Sequence, residues 1–209
     1  MTAFINDADL LIVEPRVFED LPFAAQQTLR VDDAALAGVT ITSVAGGFNT
    51  LVIGDVIVLR TTEADAATFA IAGITDDNTL TVENEPTHLT ASVGLTMIAR
   101  TFTPQINIVH AQIMRAMGID IDDPDEELDE ASIVSVSVMQ QIETLGTLAQ
   151  VYAAAVAPVG DNETIMQKAD AYARQFTAAM RGARVLIDID GDGQADVWRT
   201  AGQGRLVRV

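Results

Sequence analysis

The chain has no cysteine. That excludes disulfides, thiolate metal sites and cysteine nucleophiles, and it leaves the redox compartment undetermined. Base is also scarce: 12 Lys and Arg stand against 30 Asp and Glu, a formal net charge of -18. A free nucleic-acid binder needs a basic surface, so ordinary duplex binding is disfavoured. No apolar run approaches the ~18 residues that a membrane span requires. The first nine residues hold two acids and no base, the reverse of a signal-peptide start, so synthesis in a cytoplasm is expected. The imidazole inventory is His88 and His110 alone. No P-loop, dinucleotide fingerprint or nucleophile elbow is present, so no enzyme activity is expected. A lone helical His such as His110 is ordinarily structural or solvent-facing. An acid-dependent hydrolase would need a carboxylate pair set apart by context, and none stands out.

Of the 209 residues, 49% are apolar and 20% charged. That composition can bury a sizeable core, which excludes wholesale disorder. Charge is distributed unevenly. Residues 101–130 carry eight acids and one base, all eight acids lying within 120–130, whereas residues 197–209 hold three arginines and no acid.

Residues 7–30 read as helical, with Asp7 and Asp9 at a helix start and Pro15 and Pro22 dividing the stretch. Between 33 and 100 the pattern changes to short Thr-, Val- and Ile-rich strands. Candidates are 39–44, 55–60, 68–74, 79–83 and 95–100, several of them separated by turn residues. Five such strands predict a small antiparallel barrel or sandwich. From Pro104 helices return: one to Gly118, a second over 131–156 and a third over 163–183. The short link between the last two predicts an antiparallel hairpin. Residues 185–190 and 195–200 read as a β-hairpin.

The expected fold is therefore α+β. A helical bundle, made of a long antiparallel helical hairpin plus N-terminal helices, spans 1–32 and 101–184. An inserted antiparallel β-barrel or sandwich spans 33–100. A C-terminal β-hairpin and tail spans 185–209.

Two local features suggest sites. Asp188, Asp190, Asp192 and Asp196 form D-x-D-x-D-G-x-x-D, with Gly193 permitting a sharp turn. Carboxylates at alternate positions of a tight loop can converge on a hard cation, so the loop resembles calcium loops of the dockerin and β-propeller kinds. It departs from the EF-hand, because Arg199 stands where a bidentate Glu is needed. The other reading is a turn rich in Asp and Gly, which turns favour anyway. Around 120–130, Asp120, Asp122, Asp123, Asp125, Glu126 and Glu127 make an acidic surface. It reads as a solvated loop or, in a ring of subunits, as negative charge that lets DNA slide past.

Several stretches together resemble a phage or prophage family of head-tail structural proteins. They are the run from Leu10 through Glu14-Pro15-Arg16 to Phe18, Gly54-Asp55, and Phe102-Thr103-Pro104-Gln105 through His110 and Gln112 to Gly118. The Asp188–Asp196 loop completes the set. The hairpin with an adjoining helix is similar to head-to-tail adaptors of tailed bacteriophages. The resemblance implies a dodecameric ring of identical subunits below a portal protein, at the neck of the virion. A stopper or tail-terminator protein would lie beyond it, and packaged DNA would pass through without specific binding. It implies no membrane partner. It also implies docking of the C-terminal segment onto the portal, through Arg199, Arg205, Leu206 and Arg208, in part by strand addition. Other readings are a tail terminator, a tail tube or capsid decoration protein, and a calcium-dependent binding module.

Overall fold

The computed structural model describes residues 3–21, 23–62, 65–85, 89, 92–120, 128–159, 162–200 and 206–208. Two compact units divide the chain: Asn6–Phe102, and Met1–Ile5 together with Thr103–Val209. The class is α+β.

The first unit opens with α1 (Asp7–Val13) and α2 (Val17–Asp20). A capping box starts α1: the Asn6 side chain accepts from the Asp9 N–H, and the Asp9 carboxylate accepts from the Asn6 N–H. Six strands follow: β1 (Gln27–Ala37), β2 (Thr40–Thr42), β3 (Val56–Thr62), β4 (Asp65–Asp76), β5 (Thr79–Val82) and β6 (Leu95–Arg100). They close an antiparallel barrel in the order β1-β2-β5-β4-β3-β6, with β6 also pairing β1.

Alternate residues fill the barrel, among them Ile57 and Leu59 of β3 with Phe48, Phe69, Leu80 and Met97. The intervening Val56 and Val58 are buried too. They belong to the opposite face of β3, against which α1 and α2 pack. A strand covered on both faces reads as a continuous apolar run, as residues 56–59 do. The covering helices are tied down by polar bonds. Arg100 donates to the Phe18 carbonyl, and the Thr68 hydroxyl donates to Glu19 at 2.5 Å.

Two sequence expectations change here. The α-helix ends at Asp20, a single 3-10 turn follows at Ala24–Gln26, and β1 takes over at Gln27 where a helix was expected to run to residue 30. The N-terminal helices also lie in the barrel's unit, not with the helical unit, because their apolar faces cover the outside of β3.

The second unit contains α3 (Thr103–Ala116), α4 (Val136–Val159), α5 (Glu163–Gly182), β7 (Arg184–Ile187), β8 (Val197–Thr200) and β9 (Leu206–Arg208). α4 and α5 run antiparallel: Gly146 faces Phe176, and further along α4 the Tyr152 ring stacks on Tyr172 at 5.7 Å. Lys168 donates to the Tyr152 hydroxyl at 3.2 Å. The last three strands form an antiparallel sheet in the order β7-β8-β9. Val185, Ile187 and Val197 share one core with Val109, Ile113, Met117, Met139 and Ile142. The C-terminal hairpin is thus part of the helical unit's core and no separate segment.

Candidate functional site

The Asp-rich loop joins β7 to β8. Strand pairing brings its ends together, since Ile187 stands opposite Val197. Its carboxylates then fold the loop over themselves. Gly191 and Gly193 donate their N–H groups to the two oxygens of Asp188, each at 2.7 Å. Both glycines hold positive φ, +77° and +83°, which a side chain would strain. The Ile189 N–H donates to Asp196 at 2.8 Å, the Asp192 N–H to Asp190 at 3.2 Å, and the Gln194 N–H to Asp192 at 2.7 Å. The N–H of Gly193, helped by those of its neighbours, holds the Asp188 carboxyl below its ordinary pKa.

One carboxylate oxygen from each of Asp188, Asp190 and Asp196 lies within 4.8 Å of the others. Asp192 stands outside that set. Three convergent hard oxygen donors suit a calcium-like cation in type. Arg199 adds no donor: its guanidinium points away and donates to the Met117 and Gly118 carbonyls at 2.7 and 3.2 Å. There it satisfies the C-terminal carbonyls of α3, where a cation also suits the helix dipole.

That contact engages Arg199, one of the expected docking residues, within its own unit, where it is half-buried. Arg205 lies outside the described residues. Leu206 and Arg208 lie in β9, whose backbone pairs with β8, Arg199 opposite Leu206 and Val197 opposite Arg208. Of the acidic surface, Asp120 is described and exposed, while Asp122, Asp123, Asp125, Glu126 and Glu127 lie outside the described residues. So does His88.

Sequence reasoning missed a buried charged cluster around His110. The imidazole is fully buried on α3. Its Nδ1 lies 2.5 Å from Oε1 of Glu143, itself fully buried on α4, and its Nε2 lies 3.3 Å from Glu130. The other Glu143 oxygen accepts from the Phe4 N–H at 2.9 Å, and the Phe4 ring lies 5.5 Å from the imidazole. Burial alone would lower the His110 pKa, but the Glu143 carboxylate, joined by Glu130, carries it above the ordinary value. The only sequence signal was a Glu inside the apolar run of α4, 33 positions from its partner. With both nitrogens engaged, His110 has no free lone pair for a substrate proton. The cluster fastens the N-terminal segment, α3 and α4 together.

Among the described residues, no helix is long and apolar enough to cross a membrane. No protein-family model, curated protein or solved structure matches the chain.

Proposed function

We propose that the chain is a virion structural protein, a head-to-tail adaptor that forms a ring below the portal and continues the DNA channel. Its work is assembly, with no bond made or broken. The observation that carries this reading is the division of the chain. A helical unit of α3, α4 and α5 is interrupted, between residues 5 and 103, by a separately cored barrel. That is the arrangement expected of a connector with an inserted module. In this reading α3 to α5 form the helical bundle, and the acidic run borders the channel, where like charge keeps DNA from sticking. β9 lies at the edge of its sheet, so its outer side suits strand addition onto the portal. The test is deletion of the gene from its phage. DNA-filled heads without tails are expected; normal tailed virions would defeat the proposal. Electron microscopy of labelled particles separates a neck ring from a tail terminator, tail tube or decoration protein, since a neck protein gives one ring per particle.

A second reading rests on the convergence of Asp188, Asp190 and Asp196: a calcium-dependent binding module. Calorimetry with calcium decides it. Heat of binding and a melting temperature that drops on adding EDTA support it, and absence of both removes it.

A further inference from the structure

We infer that His110 is a proton-operated clasp within the helical unit: the imidazolium holds Glu130, and with it the 3-10 turn Glu130–Ser132, and loss of its proton releases that turn. The inference goes beyond the neck reading and holds whether or not that reading stands.

The imidazole lies between two carboxylates of unequal freedom. Glu143 is fully buried, and its two oxygens meet the His110 Nδ1 at 2.5 Å and the Phe4 N–H at 2.9 Å. Glu130 meets Nε2 at the longer distance of 3.3 Å, and its side chain is 22% exposed. Among the described residues, these two acids are the charged groups that act on the ring. The N-terminal segment turns the Phe4 ring to it, and residues 3–5 hold no titratable side chain.

An imidazolium donates from both nitrogens, so it satisfies both carboxylates at once. A neutral imidazole keeps one N–H and turns a lone pair to the other acid. Burial decides which acid loses. Withdrawing the N–H from Glu143 would leave a dry carboxylate with the Phe4 N–H alone, a heavy desolvation cost. The proton therefore leaves Nε2. There a lone pair then faces the Glu130 oxygen, two acceptors with no hydrogen between them, while water is within reach of Glu130. Glu130 swings out, and Glu143 keeps both its donors.

The local chain sets what moves with it. The Asp129 carboxylate keeps the turn wound, accepting from the Ala131 and Ser132 N–H groups at 2.9 and 3.1 Å. The turn swings about its far end, where the Ser132 carbonyl accepts from the Asp188 N–H at 2.9 Å and Ile133 bridges Ile187. Those are backbone contacts and do not titrate. Asp129, Ala131 and Ser132 also line one side of a cavity whose other side is the loop at Asp188, Ile189 and Gly191. The clasp therefore governs how far that cavity is closed. It is a local charge change acting on an element with two positions.

The chain has no cysteine, so Ala131→Cys supplies a single thiol for a nitroxide label at an exposed position on the turn. The full-length chain also carries His88→Gln, which leaves His110 as its one imidazole. Electron paramagnetic resonance and imidazole NMR follow it between pH ~5 and ~9. Label mobility should rise severalfold in one step whose midpoint matches the His110 titration. The same label at Ala178→Cys, exposed on α5, should show no step. Glu130→Gln is the deciding variant. Its amide accepts from an Nε2–H or donates to an Nε2 lone pair, so it stays with the ring in both states and the step at residue 131 should vanish. Asp7, raised to about 6, lies in the other unit and is unchanged by that substitution. A step that survives Glu130→Gln therefore belongs to another group and overturns the inference. Mobility that stays flat across the range, a midpoint away from the imidazole's, or an equal step at residue 178 overturns it as well.

Discussion

Asp7 occupies the first turn of α1 yet is only 2% exposed. Burial raises its pKa to about 6, against opposing hydrogen bonds from the Thr101 hydroxyl and the Phe102 N–H, and the Asp55 carboxylate raises it further. One of its oxygens, Oδ2, has no hydrogen-bond partner among the described residues. Between the ordinary 3.8 and about 6 the folded chain keeps a proton that the unfolded chain has released. Stability therefore falls as pH rises through that window and levels off above it, by roughly 3 kcal/mol in all. Asp7→Asn should abolish this fall and raise stability at pH 7 by about 1–3 kcal/mol, read by urea unfolding from pH 4 to 8. His110 titrates in a different window. Its folded pKa is raised, so its contribution is complete below about 6.5 and fades as pH climbs through the folded value. Imidazole NMR with His88→Gln as the assignment control should find His110 titrating above ~6.5; a value below that would mean the carboxylates do not hold it. Counting residues reveals both groups, but not their surroundings. Asp7 looks like an ordinary helix-start acid, and Glu143 lies 33 positions from the histidine it holds.

At the scale of elements, three helices of the second unit crowd together at Gly146 of α4. A Cβ there would lie 2.7 Å from Val109 of α3 and 2.8 Å from Phe176 of α5. In an open helix, Gly→Ala gains about 1 kcal/mol. Here overpacking costs ~1–3 kcal/mol and wins, because the site is closed by two other helices. Gly146→Ala should therefore lower stability by about 1–2 kcal/mol and the melting temperature by a few degrees, measured by thermal unfolding. The same crowding explains what periodicity could show. The stripe from Ile165 to Met180 and the strands at 55–60 and 95–100 were readable because an apolar face repeats along them. β1 was not. Gln27, Arg30, Asp32 and Asp33 interrupt it, and its pairing with β6 shifts register twice, between Gln27 and Leu29 and between Val31 and Ala34. Each shift breaks the alternation that marks a strand. Its acids are spent locally: Asp33 accepts from the Ser43 hydroxyl and the Val44 and Ala45 N–H groups.

At the scale of the molecule, one cluster of buried described residues fills the barrel and another lies under α3, α4 and the β7–β8 hairpin. The Asp-rich loop was legible because its donors fall within nine consecutive residues, whereas the assignment of α1 and α2 to the barrel depends on which apolar surface they cover, and helical periodicity alone does not specify a partner. Two compact units predict that unfolding is not all-or-none over the whole chain, since two-state behaviour belongs to a single cooperative core. Glu143→Ala provides the probe. It leaves His110 buried without its principal counter-charge and frees the Phe4 N–H, and breaking a buried pair from one side costs about 3–5 kcal/mol. That loss falls on the unit of α3 and α4. Hydrogen exchange should therefore show faster exchange at α3 and α4 amides while β3 and β6 amides keep the protection of the parent chain. A uniform loss of protection in both units would mean that the barrel's stability is borrowed from the helical core, in which case the barrel is no independent module.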